Sequence, residues 1–254
     1  MLILILFILL IISFILIIYF NNKLKMINSG GDNIQPILYF PKIIGNRKIL
    51  NEKLMSTSVS GFSSTPDTFR HKFNLELEKN YGSLEGKTVI DACACIGSDS
   101  IKFIMLGANV ISIELEYENY KALVNNLDYL DIENKHTTIK GNCLQYLFDK
   151  NFIDQNKPNI IYFDPPWSLG NNKYNRDSHS NPLNLIDLNG DLISIENIIM
   201  KLINNVELII IKSPHNYQIF HSKKLNIKSY PFEKKNKHTG HTIISFKLHF
   251  IKKI

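Results

Sequence analysis

Short apolar strands alternate with helices along most of this chain, and that alternation constrains the fold more than any other feature. Runs rich in isoleucine and valine predict five strands, over residues 87–91, 109–114, 137–140, 159–163 and 206–211. Helical spacing predicts helices between them, over residues 98–106, 117–130, 143–148 and 195–203. Apolar strands separated by helices form a parallel sheet that is covered on both faces. We therefore predict an α/β fold.

Two further segments flank this alternation. Thr65 is a predicted N-cap with Pro66 at the first helical position, and apolar residues follow at helical spacing. Residues 221–250 predict two strands joined by a lysine-rich turn near Gly240. The sheet is therefore expected to end in a C-terminal β-hairpin.

The first twenty residues are almost wholly apolar. Residues 2–20 carry no charge, and only Ser13 is clearly polar. A helix of this length is roughly 28 Å long, close to the thickness of the bilayer hydrocarbon. A cleavable signal peptide is the alternative, but it needs basic residues before the apolar run and small residues at a cleavage site. Neither is present, so we predict a transmembrane anchor over residues 1–22.

The segment after the anchor sets the predicted orientation and the domain boundary. Residues 23–53 are rich in asparagine, lysine and glycine, and we interpret them as a tether and N-terminal arm. Lysines follow the apolar run and none precedes it, so the positive-inside rule keeps the rest of the chain in the cytoplasm. We expect a single-pass membrane protein whose domain, residues 54–254, faces the cytoplasm.

Composition excludes two other classes of protein. A hydrophobic content of 44% is enough for a folded core and excludes a wholly disordered chain. The three cysteines, Cys93, Cys95 and Cys143, are too few for a disulfide scaffold. They could suggest a metal site, but no second pair or suitably spaced histidines accompany them. We expect small core residues and no metal.

Polar residues cluster where the predicted strands end, which is where ligands bind in parallel sheets. Asp91 opens a turn of small residues that contains Gly97, and such a turn lets the backbone approach a nucleoside cofactor closely. Glu114 ends the next strand, where an acid can accept hydrogen bonds from both ribose hydroxyls. An ordinary strand–turn–helix connection would give the same pattern, so these two motifs leave both interpretations open.

The sequence Asp164-Pro165-Pro166-Trp167 follows the fourth predicted strand. Two prolines cannot continue a buried strand, so the chain leaves the sheet rigidly at its carboxyl edge. The Asp164 side chain and the Pro165 carbonyl can then accept hydrogen bonds from an exocyclic amine, and Trp167 offers a flat face to a purine. A chance proline turn with a core tryptophan is the less favoured alternative, given the motifs before it.

Positive charge is concentrated near the C-terminus. Residues 221–254 contain nine lysines and one glutamate, whereas the whole chain has a net charge of +6. Aromatic residues lie among the lysines, a combination that suits a nucleic-acid backbone. A hairpin close to an anionic membrane surface is the alternative. We favour RNA.

These motifs resemble the class I methyltransferases that use S-adenosylmethionine and methylate exocyclic amines, and most of all the trimethylguanosine synthase family of RNA cap guanine-N2 methyltransferases. The likeness runs from about residue 62 to residue 250. It rests, besides the Asp-Pro-Pro-Trp sequence, on the order and spacing of short segments at residues 62–67, 89–97, 125–126, 141–142, 203–206 and 211–216. The resemblance implies a Rossmann-like sheet, capped RNA bearing 7-methylguanosine as substrate, and a catalytic domain that we expect to be monomeric.

The resemblance also implies roles for individual residues. The cofactor would be bound at the methionine end by the turn after the first strand, at the ribose by an acid, and at the adenine by an amide. The implied cofactor-binding residues are Thr65, Asp91, Cys93, Gly97, Glu114, Asn142 and Asp164. Asp164 and Pro165 would hold the guanine amine as catalytic residues. Trp167 would stack on the cationic base, and His215 and Asn216 would meet the cap phosphates.

The chain departs from the family pattern at four positions. Cys95 replaces a glycine of the cofactor turn, Asn142 replaces an adenine-binding acid, His215 replaces a phosphate-binding arginine, and Gly61 replaces an aromatic residue. An adenine-N6 methyltransferase acting on RNA or DNA is an alternative, since the Asp-Pro-Pro-Trp sequence also suits that chemistry. An inactive, membrane-tethered RNA-binding homologue is the other.

Overall fold

The computed structural model describes residues 35–131, 133–167, 183–235 and 242–254. The predicted anchor at residues 1–22, the first part of the tether and the turn near Gly240 lie outside these residues. Within them, no helix combines the length and the apolar character needed to cross a bilayer. The membrane anchor stays a prediction.

Strands in the described residues form one large sheet and two small hairpins. The hairpins pair β1 with β2 and β7 with β8, and the other strands make the seven-stranded sheet. The strands are β1 (Ile43–Ile44), β2 (Arg47–Lys48), β3 (Thr88–Asp91), β4 (Asn109–Glu114), β5 (His136–Lys140), β6 (Ile160–Phe163), β7 (Asn184–Ile186), β8 (Leu192–Ser194), β9 (Leu208–Pro214), β10 (Leu225–Lys235) and β11 (Thr242–Lys253).

Helices connect most of the strands. Three short 3-10 turns, Pro36–Leu38, Asn51–Lys53 and Asp67–Phe69, accompany them in the N-terminal part of the described chain. The α-helices are α1 (Ser60–Ser63), α2 (Arg70–Asn80), α3 (Ser100–Met105), α4 (Tyr117–Leu130), α5 (Cys143–Leu147), α6 (Lys150–Asn156) and α7 (Ile195–Leu202).

The large sheet has the strand order β10-β11-β9-β6-β3-β4-β5. Strands β9, β6, β3, β4 and β5 run parallel, and β11 and β10 add an antiparallel hairpin at one edge. In chain order, β4 pairs with one side of β3 and β5 pairs with β4. The chain then crosses back, and β6 pairs with the other side of β3. Such a reversal opens a crevice at the carboxyl ends of the two central strands. The predicted α/β fold with a C-terminal β-hairpin is confirmed.

Alternate residues of the central strands supply two apolar cores, one on each face of the sheet. Ile160 and Tyr162 of β6 pack into one core, and Ile161 and Phe163 pack into the other. All four are almost fully buried. Both faces of the parallel sheet are therefore covered, which explains why the predicted strands are continuously apolar rather than alternating with polar residues.

The N-terminal arm packs against the domain. Phe40 and Ile49 are buried in the core that also contains Tyr162. The Arg47 guanidinium donates a hydrogen bond of 2.5 Å to the Tyr129 carbonyl oxygen at the end of α4, and it lies 4.8 Å from the centroid of the Tyr129 ring. Residues 36–53, assigned to the tether and arm from the sequence, thus contribute to the folded structure in the part that is described.

The sequence prediction and the structure agree closely in the parallel part of the sheet. Strand β4 and helix α4 have the predicted bounds, and the other predicted strands of that part differ by up to three residues at an end. Helix α6 and the two small hairpins were not predicted.

The predicted role of Thr65 as an N-cap is wrong. Helix α2 begins at Arg70, after the 3-10 turn Asp67–Phe69, and Pro66 adopts an extended ψ of 140°. The Thr65 hydroxyl instead donates a hydrogen bond of 2.8 Å to the Asp99 carboxylate. The Thr65 side chain therefore bonds to an acid that is distant in the sequence rather than to the backbone of the following helix.

His249 joins the C-terminal hairpin to the parallel sheet. It is buried on β11, and its Nε2 and Nδ1 atoms share hydrogen bonds of 2.8 Å and 2.7 Å with the hydroxyls of Ser213 on β9 and Ser229 on β10. Burial, with a smaller contribution from the charge of Lys247, lowers the pKa of His249 to about 4. The imidazole is therefore neutral in the folded protein at neutral pH.

We expect the contribution of His249 to the stability of the protein to fall as the pH drops from 7 to 4.5. The unfolded histidine takes up a proton near pH 6.5, whereas the folded one does so only near pH 4. The stability that this group contributes above pH 6.5 is therefore lost as the pH falls toward 4, by about 2 kcal/mol at pH 4.5. Urea unfolding of the wild type and of His249→Gln at both pH values checks this. Equal changes in the unfolding free energy of the two proteins between pH 7 and pH 4.5 would contradict it.

Candidate functional site

The carboxyl ends of the central parallel strands carry the candidate site. Asp91 ends β3, Glu114 ends β4, and Asp164 follows β6 directly. Register pairs place Asp91 beside Tyr162 of β6, and Phe163 beside Ile211 of β9. The structure therefore brings the three predicted acids to one edge of the sheet, around the crevice between β3 and β6.

Glu114 organises the turn that follows β3. Its Oε2 atom accepts a hydrogen bond of 2.8 Å from the backbone N–H of Cys95, and its Oε1 atom accepts one of 2.7 Å from the N–H of Glu116. Cys95 has a φ of +49°, a conformation that favours glycine. Burial raises the pKa of Glu114, although these two N–H groups act in the opposite direction. The acid thus reaches the turn that was predicted to contact the cofactor.

Asp91 lies beneath that turn, almost fully buried. Its Oδ2 atom accepts a hydrogen bond of 2.6 Å from the Ser100 hydroxyl, while its Oδ1 atom is buried without a well-formed hydrogen bond to the described residues. Burial raises the pKa of Asp91 to about 8, although the Ser100 hydroxyl and the Cys93 backbone N–H act in the opposite direction. A buried acceptor without a donor is costly, and a cationic or N–H donor from a ligand would relieve that cost and favour the ionised acid.

Helix packing requires a glycine at position 97. It adopts a φ of +88°, and a Cβ atom at this position would lie 3.0 Å from Leu123 Cδ1 and 3.1 Å from Leu127 Cδ2. Both leucines belong to α4. The glycine therefore lets the turn approach α4, and this packing requirement stands beside the predicted approach to a cofactor.

A buried network of charges lies beside the turn. The Asp99 carboxylate pairs with the Lys102 ammonium at 2.6 Å and accepts hydrogen bonds from the hydroxyls of Thr65 at 2.8 Å and Tyr162 at 2.9 Å. Burial alone would raise the pKa of Asp99, but Lys102 and Lys212 hold it below its usual range. The predicted site residue Thr65 is thus held in place by an acid and a lysine that were not predicted.

Asp164 forms the second ion pair of the site. Its Oδ2 atom lies 2.6 Å from the ammonium of Lys212, and both side chains are largely buried, with 12% and 4% exposed. Burial raises the pKa of Asp164 to about 6, although Lys212 acts to lower it. Lys212 was not predicted as a site residue, yet a lysine directly after the apolar strand sequence Leu208–Ile211 could have indicated one.

The two residues that follow Asp164 differ in exposure. Pro165 is buried, whereas Pro166 is exposed. Trp167 is half-buried and packs against both apolar cores, and the Lys212 ammonium lies 5.8 Å from the centroid of its ring. The indole therefore lies beside the Asp164–Lys212 pair, and its predicted stacking role stays a prediction.

Asn142 and Cys93, both predicted to bind the cofactor, also make contacts within the protein. The Asn142 side chain caps α5 by accepting a hydrogen bond of 3.0 Å from the Leu144 N–H, and it donates one of 2.8 Å to the Ile186 carbonyl oxygen. Cys93 is half-buried, and a hydrogen bond with the Cys143 thiol, together with burial, raises its pKa. The amide assigned to adenine binding is thus engaged at both ends within the protein.

His215 and Asn216 follow β9 at the same edge of the sheet. His215 is exposed and Asn216 is half-buried. Since β9 is the parallel neighbour of β6, this turn lies next to the segment that holds Asp164. The predicted phosphate-binding residues are therefore close to the predicted acceptor site. Among the described residues, no group of three or more His, Cys, Asp or Glu side chains could hold a metal ion.

Comparison with known proteins identifies the family. The family model described as RNA cap guanine-N2 methyltransferase matches residues 86–242, more than half of the 254 residues. This chain belongs to the RNA cap guanine-N2 methyltransferase family. The matched residues include every acid of the site and the Asp164–Trp167 segment, and family membership supports methyltransferase activity.

The individual proteins that match this chain have low sequence identity to it. An uncharacterized protein of Acanthamoeba polyphaga mimivirus is 29% identical over 131 residues, which cover 51% of this chain and 46% of that protein. The chain thus spans about half the length of this relative. Among solved structures, precorrin-6y C5,15-methyltransferase from Geobacter metallireducens has a TM-score of 0.50 and 11% identity, over 85% of this chain and 100% of that one. A provisionally assigned methyltransferase from Escherichia coli has a TM-score of 0.47 and 18% identity, over 75% and 88% of the two chains.

The fold of this family member is therefore the Rossmann-like methyltransferase fold, with a mostly parallel central sheet. At this level of identity, likeness to a solved structure establishes the architecture alone. The chemistry of the site has to be argued from its own residues.

The packing role of Gly97 predicts a large effect of Gly97→Ala. The new methyl group would press on Leu123 and Leu127, and the positive φ would strain any L residue, so we expect a loss of about 3 kcal/mol in the free energy of unfolding. Gly82→Ala is the matched control, because Gly82 has a φ of +102° but no described atom within 4 Å of the added carbon. It should cost about 1 kcal/mol. Equal costs, measured by urea unfolding, would contradict the packing role.

Proposed function

We propose that this family member transfers a methyl group from S-adenosylmethionine to the guanine N2 atom of a 7-methylguanosine RNA cap. Family membership supports the reaction class. The observation that carries the choice of acceptor is the Asp164-Pro165-Pro166-Trp167 segment at the carboxyl edge of β6, next to the turn after β3. It combines acceptors for an exocyclic amine with an aromatic face for a purine.

The crevice residues suit S-adenosylmethionine. The Asp91 Oδ1 atom, buried without a well-formed hydrogen bond to the described residues, could accept one from the cofactor's ammonium group. Glu114, at the end of β4, could accept hydrogen bonds from the ribose hydroxyls. When bound, the cofactor supplies an electrophilic methyl group on a sulfonium centre. Because Cys95 occupies the turn with a positive φ, the cofactor would have to fit beside its side chain.

The acceptor amine would be held at Asp164 and Pro165. The Asp164 carboxylate and the Pro165 carbonyl accept its hydrogen bonds and orient the nitrogen lone pair toward the methyl group. No strong base is required, because the amine loses its proton during or after attack. Catalysis then rests mainly on orientation and on exclusion of water, which suits a site whose acids are so deeply buried.

Trp167 gives the site its preference for a cationic base. A 7-methylguanine carries a positive charge, so stacking on the indole gains cation–π energy beyond ordinary stacking, about 0.5–2 kcal/mol. Asn216 and His215, in the turn after β9, are the nearby polar groups that could meet the cap phosphates.

The C-terminal hairpin carries positive charge that could bind the phosphates in the rest of an RNA chain. Strand β10 forms the edge of the sheet and exposes Lys228, Lys234 and Lys235. Lys72 and Lys79 of α2 add to this side, with their ammonium groups over the rings of Phe232 and Tyr230. Exposed lysines of this kind bind phosphates without reading sequence.

The direct test incubates the full-length protein, in a mild detergent, with radiolabelled S-adenosylmethionine and a 7-methylguanosine cap dinucleotide. We expect label on the guanine N2 atom of the methylated cap and little label on an unmethylated cap, since the neutral base lacks the cation–π term. Label on uncapped, adenine-containing RNA and none on the cap would support the adenine-N6 alternative. A folded protein that labels neither would support an inactive RNA-binding homologue.

Trp167→Ala is the variant to measure in the same assay, with Trp167→Phe as its matched control. Loss of the stacking face should reduce cap methylation about 10- to 100-fold, whereas phenylalanine keeps a face and should lose less. The affinity for S-adenosylhomocysteine should change little in either variant. Full cap methylation by Trp167→Ala would show that the stacking role is wrong.

A further inference from the structure

Lys212 is a charged residue in a place that disfavours charge. It lies in β9 between Ile211 and Ser213, in the centre of the sheet, and is only 3% exposed. Lysine is almost never fully buried unless its charge is paired. Replacing a buried ion pair by apolar side chains is often neutral or stabilising. Stability alone therefore does not explain a lysine here.

The contacts of Lys212 converge on the candidate site. Its ammonium group donates hydrogen bonds of 2.6 Å to Asp164 Oδ2 and 3.2 Å to the Ser63 carbonyl oxygen. The same group lies 5.8 Å from the centroid of the Trp167 ring. One side chain thus joins three parts of the site: the segment after β6, the end of α1 and the aromatic face.

We propose that Lys212 is a positioning residue for methyl transfer, which holds the Asp164 carboxylate ionised and fixed in orientation where the acceptor amine enters. This inference rests on the function proposed above, because it assumes that Asp164 receives the amine. Lys212 itself contacts neither the substrate nor the methyl donor in this account. It acts through Asp164 and through the Ser63 carbonyl.

The reaction explains why an ionised Asp164 matters. During transfer a nitrogen–carbon bond forms at the amine, the sulfur–carbon bond of the donor breaks, and the amine nitrogen gives up one proton to solvent. Positive charge grows on that nitrogen until the proton leaves. A carboxylate beside it stabilises the charge, whereas a protonated carboxyl group does so far less.

Lys212 is the cation that pairs with Asp164, because the other charged groups nearby are acids or are paired elsewhere. Asp99 in the turn before α3 and Asp91 at the end of β3 are acids that disfavour ionisation of a nearby acid. The Lys102 ammonium is paired with Asp99 at 2.6 Å. The Tyr162 hydroxyl of β6 also donates a hydrogen bond to Asp99. Without Lys212, Asp164 would therefore face buried acids and would take up a proton at a higher pH.

Trp167 provides a readout that needs no substrate. It is the single tryptophan of the chain, and it lies three residues from Asp164. Its fluorescence in the full-length protein can be titrated from pH 4.5 to pH 9. Because burial raises the pKa of Asp164 to about 6, we expect a transition with a midpoint near pH 6 in the wild type. That transition should be absent from Asp164→Asn, whereas any signal from Asp91 would appear near pH 8.

The decisive variant is Lys212→Met, which removes the ammonium group and keeps the length of the side chain. We expect the fluorescence midpoint to rise by at least one pH unit, and Lys212→Arg to leave it near that of the wild type. Lys247→Met on β11 is the matched control, because the Lys247 ammonium donates to the Tyr217 carbonyl oxygen instead. Lys212→Gln, which can still donate hydrogen bonds without charge, is measured in parallel in case Lys212→Met does not fold.

Two results would overturn the proposal. One is an unchanged midpoint in Lys212→Met or Lys212→Gln, and the other is a wild-type transition that persists in Asp164→Asn. Cap methylation then tests the catalytic consequence: at pH 7 the kcat of Lys212→Gln should fall at least tenfold, with little change in the KM for S-adenosylmethionine and recovery in Lys212→Arg. If the wild type does not methylate the cap, the proposed function fails while the fluorescence result still decides the role of Lys212.

Discussion

The parallel pairing of β6 between β3 and β9 is the constraint on which the rest of the structure depends. It brings Asp91, Asp164 and Lys212 to the same edge of the sheet, although they are far apart in the sequence. The same pairing buries alternate residues of β6 on both faces of the sheet, so the strand that carries the site also holds the two cores together. The rigidity of the site follows from this, because moving Asp164 would disturb both cores.

Buried ion pairs are the second feature that organises the site. Asp99 with Lys102 and Asp164 with Lys212 form two ion pairs in one deeply buried region, and Asp91 lies close to both. Each pair is tied to a backbone carbonyl of the segment before α2, because Lys102 donates to Thr65 and Lys212 donates to Ser63. The charges therefore fasten that segment to the crevice and fix the groups that would bind the cofactor and the acceptor.

Much of the fold could be predicted from local pattern, and part of the site could not. Continuous apolar runs predicted the parallel strands, and prolines after β6 predicted where Asp164 leaves the sheet. Pairs such as Lys212 with Asp164, 48 residues apart, depend on strand order and have no local signal beyond a lysine in an apolar strand. Asn142 shows the reverse case: its place before α5 is typical of an N-cap, whereas the resemblance to a family implied only a ligand contact, which stays a prediction.

Isothermal titration calorimetry of the full-length protein with S-adenosylhomocysteine tests the central claim most directly, namely that the crevice between β3 and β6 is a methyl-donor site. Binding of one molecule per chain is expected, about tenfold weaker in Glu114→Gln because a charged hydrogen-bond acceptor for the ribose is lost. Circular dichroism establishes that each sample is folded. A folded wild-type protein that releases no heat and binds no S-adenosylhomocysteine would contradict the account.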